Sequence, residues 1–178
     1  AAVAQGSFHT EPRVLARGDC AAALAAAPCR FDGEFALGGQ EHFYLETHAA
    51  WAEPGENDSV LVCSSTQHPS EVQATVAAVL GRPRHQVVTQ TPRMGGGFGG
   101  KETQAATPAA LAALAAQHTG RPVRVRWNRD QDMMLTGKRH PFLATFQAGF
   151  DKDGLLRAAK IQLVSNGGWS LDLSMPVT

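Results

Sequence analysis

The chain has 178 residues, 43% hydrophobic and 18% charged, with 16 basic and 16 acidic side chains. A formal net charge of zero, with Arg and Lys spread along the chain, excludes the basic excess of a nucleic-acid binder. The length suits one domain, or one domain plus part of another, and no apolar run approaches the roughly 20 residues that cross a bilayer.

Residues 1–37 are weakly patterned and read as a leading segment or linker ahead of a domain over 38–178. The opening lacks a basic stretch followed by an apolar one, so no signal peptide is expected. It also lacks an initiating Met, so the chain is expected to begin inside a longer product or after a cut. "CAAALAAAPC" reads as a short helix stopped by Pro28, and "GEFALGG" as a strand ended by a glycine turn. Thr47 to Glu53 and Ser59 to Ser64 read as strands of a hairpin around "PGEND". Val72, Val76, Val79 and Leu80 recur at helical spacing behind the start signal "HPSE", and Gly81 and Pro83 stop that helix.

"HQVVTQ" is a short strand that runs into a glycine loop. "TPAALAALAAQHTGRP" is a helix stopped at Gly120, with Pro108 marking its first turn or a kink. "PVRVRW" alternates as a strand with Arg124 and Arg126 on a solvated face. "NRDQDMMLTG" is a polar connection with one helical turn, its Met133 and Met134 acting as core filler. The segment from Phe142 to Gly168 forms a long hairpin around "DKDG". This order predicts the α+β class, a mixed sheet with helices packed on one face. Cys20, Cys29 and Cys63 have neither disulfide nor metal spacing and read as reduced thiols of a cytoplasmic protein.

The loop "RMGGGFGGKET" places five glycines within six residues, interrupted only by Phe98. Gly95, Gly97 and Gly100 meet the dinucleotide spacing G-x-G-x-x-G, but the acid expected at the end of the next strand is missing. Gly95, Gly100 and Lys101 meet the phosphate-loop spacing, but Glu102 stands where a magnesium-holding Ser or Thr belongs. A bare turn needs one or two glycines, and each surplus one costs roughly 0.5–1 kcal/mol against alanine. The loop is therefore expected to point backbone N–H groups at an electron-rich partner, with Phe98 as an apolar wall and Glu102 in the first turn of the next helix.

Together with "GGQEHFYLET", "SSTQHP", "TGKRHPF" and "VSNGGWSLDLS", this loop resembles the molybdenum subunit of the xanthine dehydrogenase family, in order and over nearly all of the chain from about Gly33. The resemblance implies a molybdenum-cofactor-binding-domain-like fold and a molybdenum–molybdopterin cofactor. It implies hydroxylation of hypoxanthine or xanthine to uric acid with oxygen from water. Electrons would leave through 2Fe-2S clusters and FAD, in parts of the enzyme outside this chain, to NAD. Gln67 corresponds to a glutamine that hydrogen-bonds to a molybdenum oxygen ligand. Phe98 and Gly99 correspond to the pair beside the metal, so Gln67 and Phe98 lie adjacent to molybdenum without ligating it. Glu102 corresponds to a glutamate that grips and orients the purine, where aldehyde oxidases tend to carry an apolar residue.

The family's substrate-orienting arginine and catalytic glutamate fall beyond Thr178, so the chain is expected to be a fragment, inactive alone. The implied partners are a purine and the remaining molybdenum, iron–sulfur and FAD parts, with no nucleic acid and no membrane. The alternatives are an aldehyde or N-heterocycle hydroxylase of the same family and a non-catalytic cofactor-binding module.

Glu41, His42, Glu46 and His48 crowd one stretch but lack the H-E-x-x-H spacing of a helical metal site, so hydrogen-bonding roles are expected of them. His140 precedes a proline and reads as a turn residue. No G-x-S-x-G elbow occurs and Cys63 has no evident base, which speaks against nucleophilic hydrolysis.

Overall fold

A computed structural model of the chain describes residues 3–178. It divides into two compact units, one from the stretches up to Gln40 and from His140 to Thr178, the other from Glu41 to Arg139.

The second unit carries the glycine loop. Its sheet holds β2 (Ala49–Pro54), β3 (Val60–Ser64), β4 (Val87–Gln90) and β5 (Val123–Arg126) in the order β4-β3-β2-β5. β2 is antiparallel to β3 and β5, and β3 is parallel to β4, so the sheet is mixed. The β2–β3 turn is tight: Gly55 N donates to Ser59 O at 2.8 Å, and Asn57 and Asp58 take left-handed φ values of 53° and 58°, as these two residue types tolerate.

Strand alternation turns Ala50, Ala52, Val60, Val62 and Val87 to one face. Two helices cover that face, α2 (Pro69–Leu80) and α3 (Ala106–Thr119). α2 starts with Pro69 at its first position and Glu71 in its first turn, and α2 and α3 stop at Gly81 and Gly120 in left-handed conformation. α3 buries Ala109, Ala112, Ala113 and Ala116 and leaves Leu111 and Leu114 exposed. Its inner face is built of methyl groups, so the helix backbone lies close against β2.

The polar connection after β5 is a seven-residue helix, α4 (Arg129–Leu135), longer than the single turn the sequence suggests. Asn128 caps it reciprocally with Gln131, a capping box that explains the added length. Met134 is 77% exposed, so it does not fill the core as expected; the inward position on α4 belongs to Asp132.

In the first unit, β1 (Cys29–Leu37), β6 (Phe142–Phe150) and β7 (Leu156–Ser165) form an antiparallel sheet in the order β1-β6-β7. The long hairpin is where the pattern puts it, but it builds a second sheet instead of extending the mixed one. α1 (Cys20–Ala26) packs on β6 and β7, with Asp19 capping it through Ala22 N. A short last helix, α5 (Ser174–Val177), presents Ser174 Oγ to His140 Nε2 at 2.7 Å. His140 thus ties two chain segments together. The three cysteine thiols are free, and among the described residues no helix is long and apolar enough to cross a membrane.

Candidate functional site: a glycine loop over a buried lysine

The loop between β4 and α3 rests on residues 42–48 and on Gln67, at the start of α2. Gly95 exchanges two bonds with Glu46: its N–H donates to Glu46 Oε2 at 2.7 Å, and its carbonyl accepts the Glu46 N–H at 3.1 Å. A Cβ on Gly95 would lie 2.5 Å from Glu46 Cβ, one on Gly97 the same distance from Gln67 Oε1, and one on Gly100 2.8 Å from His42 and Tyr44. Gly96 and Gly99 take φ values of 92° and 86°. Internal packing and backbone conformation therefore account for all five glycines. The sequence reading, which reserved the bare backbone for a ligand, is corrected on that point.

Gln67 is oriented by the loop. Its Oε1 accepts the N–H of Gly99 at 3.0 Å and of Lys101 at 3.1 Å, and its own N–H donates to Lys101 O at 2.9 Å. Two backbone donors on one oxygen fix which way the amide faces, so the exposed Gln67 turns its NH2 donor away from them. Gly99 spends its N–H on Gln67 and is not the free donor the sequence suggested. The N–H groups of Gly96, Gly97 and Phe98 make no hydrogen bond among the described residues. Phe98 is 67% exposed and holds φ at 52°, a conformation that costs a non-glycine residue about 1–2 kcal/mol.

Lys101, which the phosphate-loop spacing would aim at a ligand, points the other way. Its side chain is fully buried, with Nζ 3.0 Å from Glu46 Oε2, 2.9 Å from Ser65 Oγ and 4.7 Å from the centre of the Tyr44 ring. Ser65 Oγ donates to the same Glu46 oxygen at 2.5 Å. Burial pulls the Lys101 ammonium below its ordinary range, against the opposing pull of Glu46. Burial would raise the Glu46 carboxyl, but the bonds from Ser65, Gly95 and Lys101 outweigh it and hold it below its usual value. Sequence reasoning missed this role. The only signal was a lysine directly after a glycine run with an unpaired acid upstream.

Asp132 of α4 closes the base of the site. It accepts the Tyr44 O–H at 2.6 Å and the His48 N–H at 2.5 Å, and lies 3.2 Å from His48 Nδ1. Burial would raise its carboxyl, yet these donors hold it low. Desolvation lowers His48 despite Asp132, and raises the Tyr44 phenol. Arg129 donates to the carbonyls of Tyr44 and Leu45 at 2.7 and 2.8 Å. With Lys138 on Glu41 at 3.0 Å, these contacts give Glu41, Glu46 and His48 structural partners. Among the described residues, no group of three or more His, Cys, Asp or Glu side chains could hold a metal ion.

Glu102 is half-buried and lies in the turn that precedes α3, which begins only at Ala106 with no acid in its first turn. The helix-dipole setting expected for it is not realised. No cation pairs with it among the described residues.

The exposed side of the loop thus presents the Gln67 carboxamide and the Phe98 ring, with open space at Gly99, while Gly97 is buried. The chain belongs to the molybdopterin cofactor-binding domain family, whose sequence model matches residues 7–178. It is 49% identical over 99% of its length to the xanthine dehydrogenase of Drosophila subobscura, of which it covers 13%. The xanthine dehydrogenase of Dictyostelium discoideum is 44% identical over 99% of this chain and 13% of that protein. The aldehyde oxidoreductase from Desulfovibrio gigas superposes with a TM-score of 0.70 at 31% identity, over 83% of this chain and 16% of that one. The chain therefore spans about an eighth of the length of the curated relatives it matches.

Proposed function

We propose that this segment is part of a molybdenum hydroxylase that converts hypoxanthine and xanthine to uric acid. The observation that carries the reading is the exposed Gln67 carboxamide, whose oxygen is held by Gly99 and Lys101 so that its NH2 turns away from them, with the Phe98 N–H making no hydrogen bond among the described residues. These are neutral donors, which suit oxygen atoms of a bound group without adding charge.

A molybdenum–molybdopterin cofactor, when bound, supplies the two-electron redox and oxygen-transfer chemistry. Gln67 and the Phe98 N–H would hold and orient it, Gly99 would act by fixing Gln67, and the exposed Phe98 ring would exclude water from its flank. Glu102 would grip the purine and offset charge that develops on the heterocycle. In the net reaction a C–H bond of the purine becomes C–O with oxygen from water, and NAD takes up a hydride as a proton is released. The 2Fe-2S clusters and FAD that carry the electrons belong to other parts of the complete protein, as do the remaining molybdenum domain, the substrate arginine and the catalytic glutamate. A cytoplasmic location is part of the same reading, supported by three free thiols.

The carboxylate at Glu102 favours a purine over the aldehyde alternative. The test is xanthine-dependent NAD reduction by the complete protein carrying this segment, compared with the same protein bearing Gln67→Leu. Activity that depends on Gln67 supports the reading. Activity indifferent to it, or oxidation of aldehydes alone, contradicts it, and purine turnover by the isolated 178-residue chain would overturn the assignment of catalytic groups to other parts.

A further inference from the structure

We infer that Lys101 is a positioning residue, a buried strut that sets the aim of Gln67 and of the glycine loop. The inference rests on the reading that this loop faces a molybdenum–pterin cofactor.

Lys101 is the one residue of the loop that engages both sides. Its backbone holds Gln67 twice, through Lys101 N–H on Gln67 Oε1 at 3.1 Å and Gln67 N–H on Lys101 O at 2.9 Å. The same carbonyl accepts Thr66 Oγ1 at 3.0 Å. The side chain bonds a separate pair of groups, Glu46 and Ser65. Glu46 returns to the far end of the loop by bonding Gly95. The loop is therefore closed at both ends by a single carboxylate oxygen, with the ammonium between that oxygen and the Tyr44 ring.

A buried ammonium is costly, and hydrophobic packing alone could fill the space for less. An ion pair adds direction: Nζ must stay within hydrogen-bond reach of both oxygens, and the backbone that orients the Gln67 amide is on the same residue. Without that restraint the Gln67 oxygen would keep its two donors only as well as a glycine-rich backbone holds itself.

The experiment uses the complete protein carrying this segment, with Lys101→Met beside the native form. Amide hydrogen exchange is followed with and without cofactor, together with molybdenum content and the paramagnetic resonance signal of the molybdenum. The strut predicts exchange at least about tenfold faster at Gly95, Gly99 and Lys101, while the amides of α3 keep native protection. It also predicts that the resonance signal moves in the same direction as in Gln67→Leu.

Uniform acceleration across the unit, or no change at the three amides, overturns it, as does a native resonance signal in a loaded Lys101→Met protein. If Lys101→Met does not fold, Ser65→Ala removes one bond from the strut and leaves the charge pair. The same local pattern is then expected at roughly threefold, and a lowered melting temperature without local acceleration counts against the strut. A native protein that binds no molybdenum would sink the functional reading, while exchange in the cofactor-free protein still decides for or against the strut.

Discussion

Lys101 Nζ and Glu46 Oε2 lie 3.0 Å apart, yet the lysine side chain is fully buried while the glutamate is 40% exposed. The two halves of the pair are thus unequal when broken. Glu46→Gln leaves an unpaired charge without access to water and should cost about 2–3 kcal/mol, whereas Lys101→Met leaves a carboxylate that can hydrate and should cost about 1–2. Urea unfolding of the two variants and of their combination measures this. The double variant should lose less than the sum, and a milder effect from Glu46→Gln would contradict the burial asymmetry.

Gly97→Ala should act on Gln67. The added methyl would start 2.5 Å from Gln67 Oε1, so the amide must turn out of its two backbone bonds. Cofactor content of the complete protein should fall about ten- to a hundredfold, the scale at which loss of an outer partner affects a metal site. Gly154→Ala, in the β6–β7 turn at a φ of 78°, strains the chain but should leave cofactor content unchanged. Metal analysis of both variants tests the contrast.

Stability should fall on mild acidification. His48 is held below its ordinary value by burial, so below about pH 6.5 the unfolded chain binds a proton that the folded one does not, and stability is lost as pH falls. His42, lowered for the same reason, adds to this. Asp132 and Glu46, both held low, contribute stability above the ordinary carboxylate range that is lost as pH drops through their folded values. Melting temperature should therefore decline from pH 7 to 5 and more steeply below. His48→Asn should make the first decline shallower, and an unchanged slope would remove His48 from this account.

Glu102→Leu should separate substrates. In the complete protein it should raise the Michaelis constant for xanthine about tenfold or more and change that for a simple aldehyde little, since only the heterocycle offers groups to the carboxylate. Equal changes for both would show that Glu102 supports the turn before α3 and does not read the purine.

Much of this fold was legible in the sequence because its signals are local. Gly81 and Gly120 stop their helices in left-handed conformation, the Val123–Arg126 alternation is a strand with exposed arginines, and the Gly55–Ser59 turn closes as its residues suggest. What was hidden depends on partners far apart in sequence. β1 pairs with β6, Cys29 opposite Phe150, and no local pattern reports that pairing or the second sheet it makes. The placement of Lys101 is set by Glu46, Ser65 and Tyr44, which only the folded chain brings together. Gln67, Phe98 and Glu102 were singled out through resemblance. Geometry then altered the reading of two neighbours, giving the Gly99 N–H to Gln67 and moving Glu102 out of the helix.

The most direct test of the central claim is isotopic. The complete protein carrying this segment is loaded with xanthine in ¹⁸O-labelled water, its molybdenum content is measured, and the uric acid is weighed by mass spectrometry, beside Gln67→Leu. The account predicts bound molybdenum, label in the product from water, and a product yield that collapses in Gln67→Leu. A protein that binds no molybdenum, or that makes unlabelled product, would contradict it.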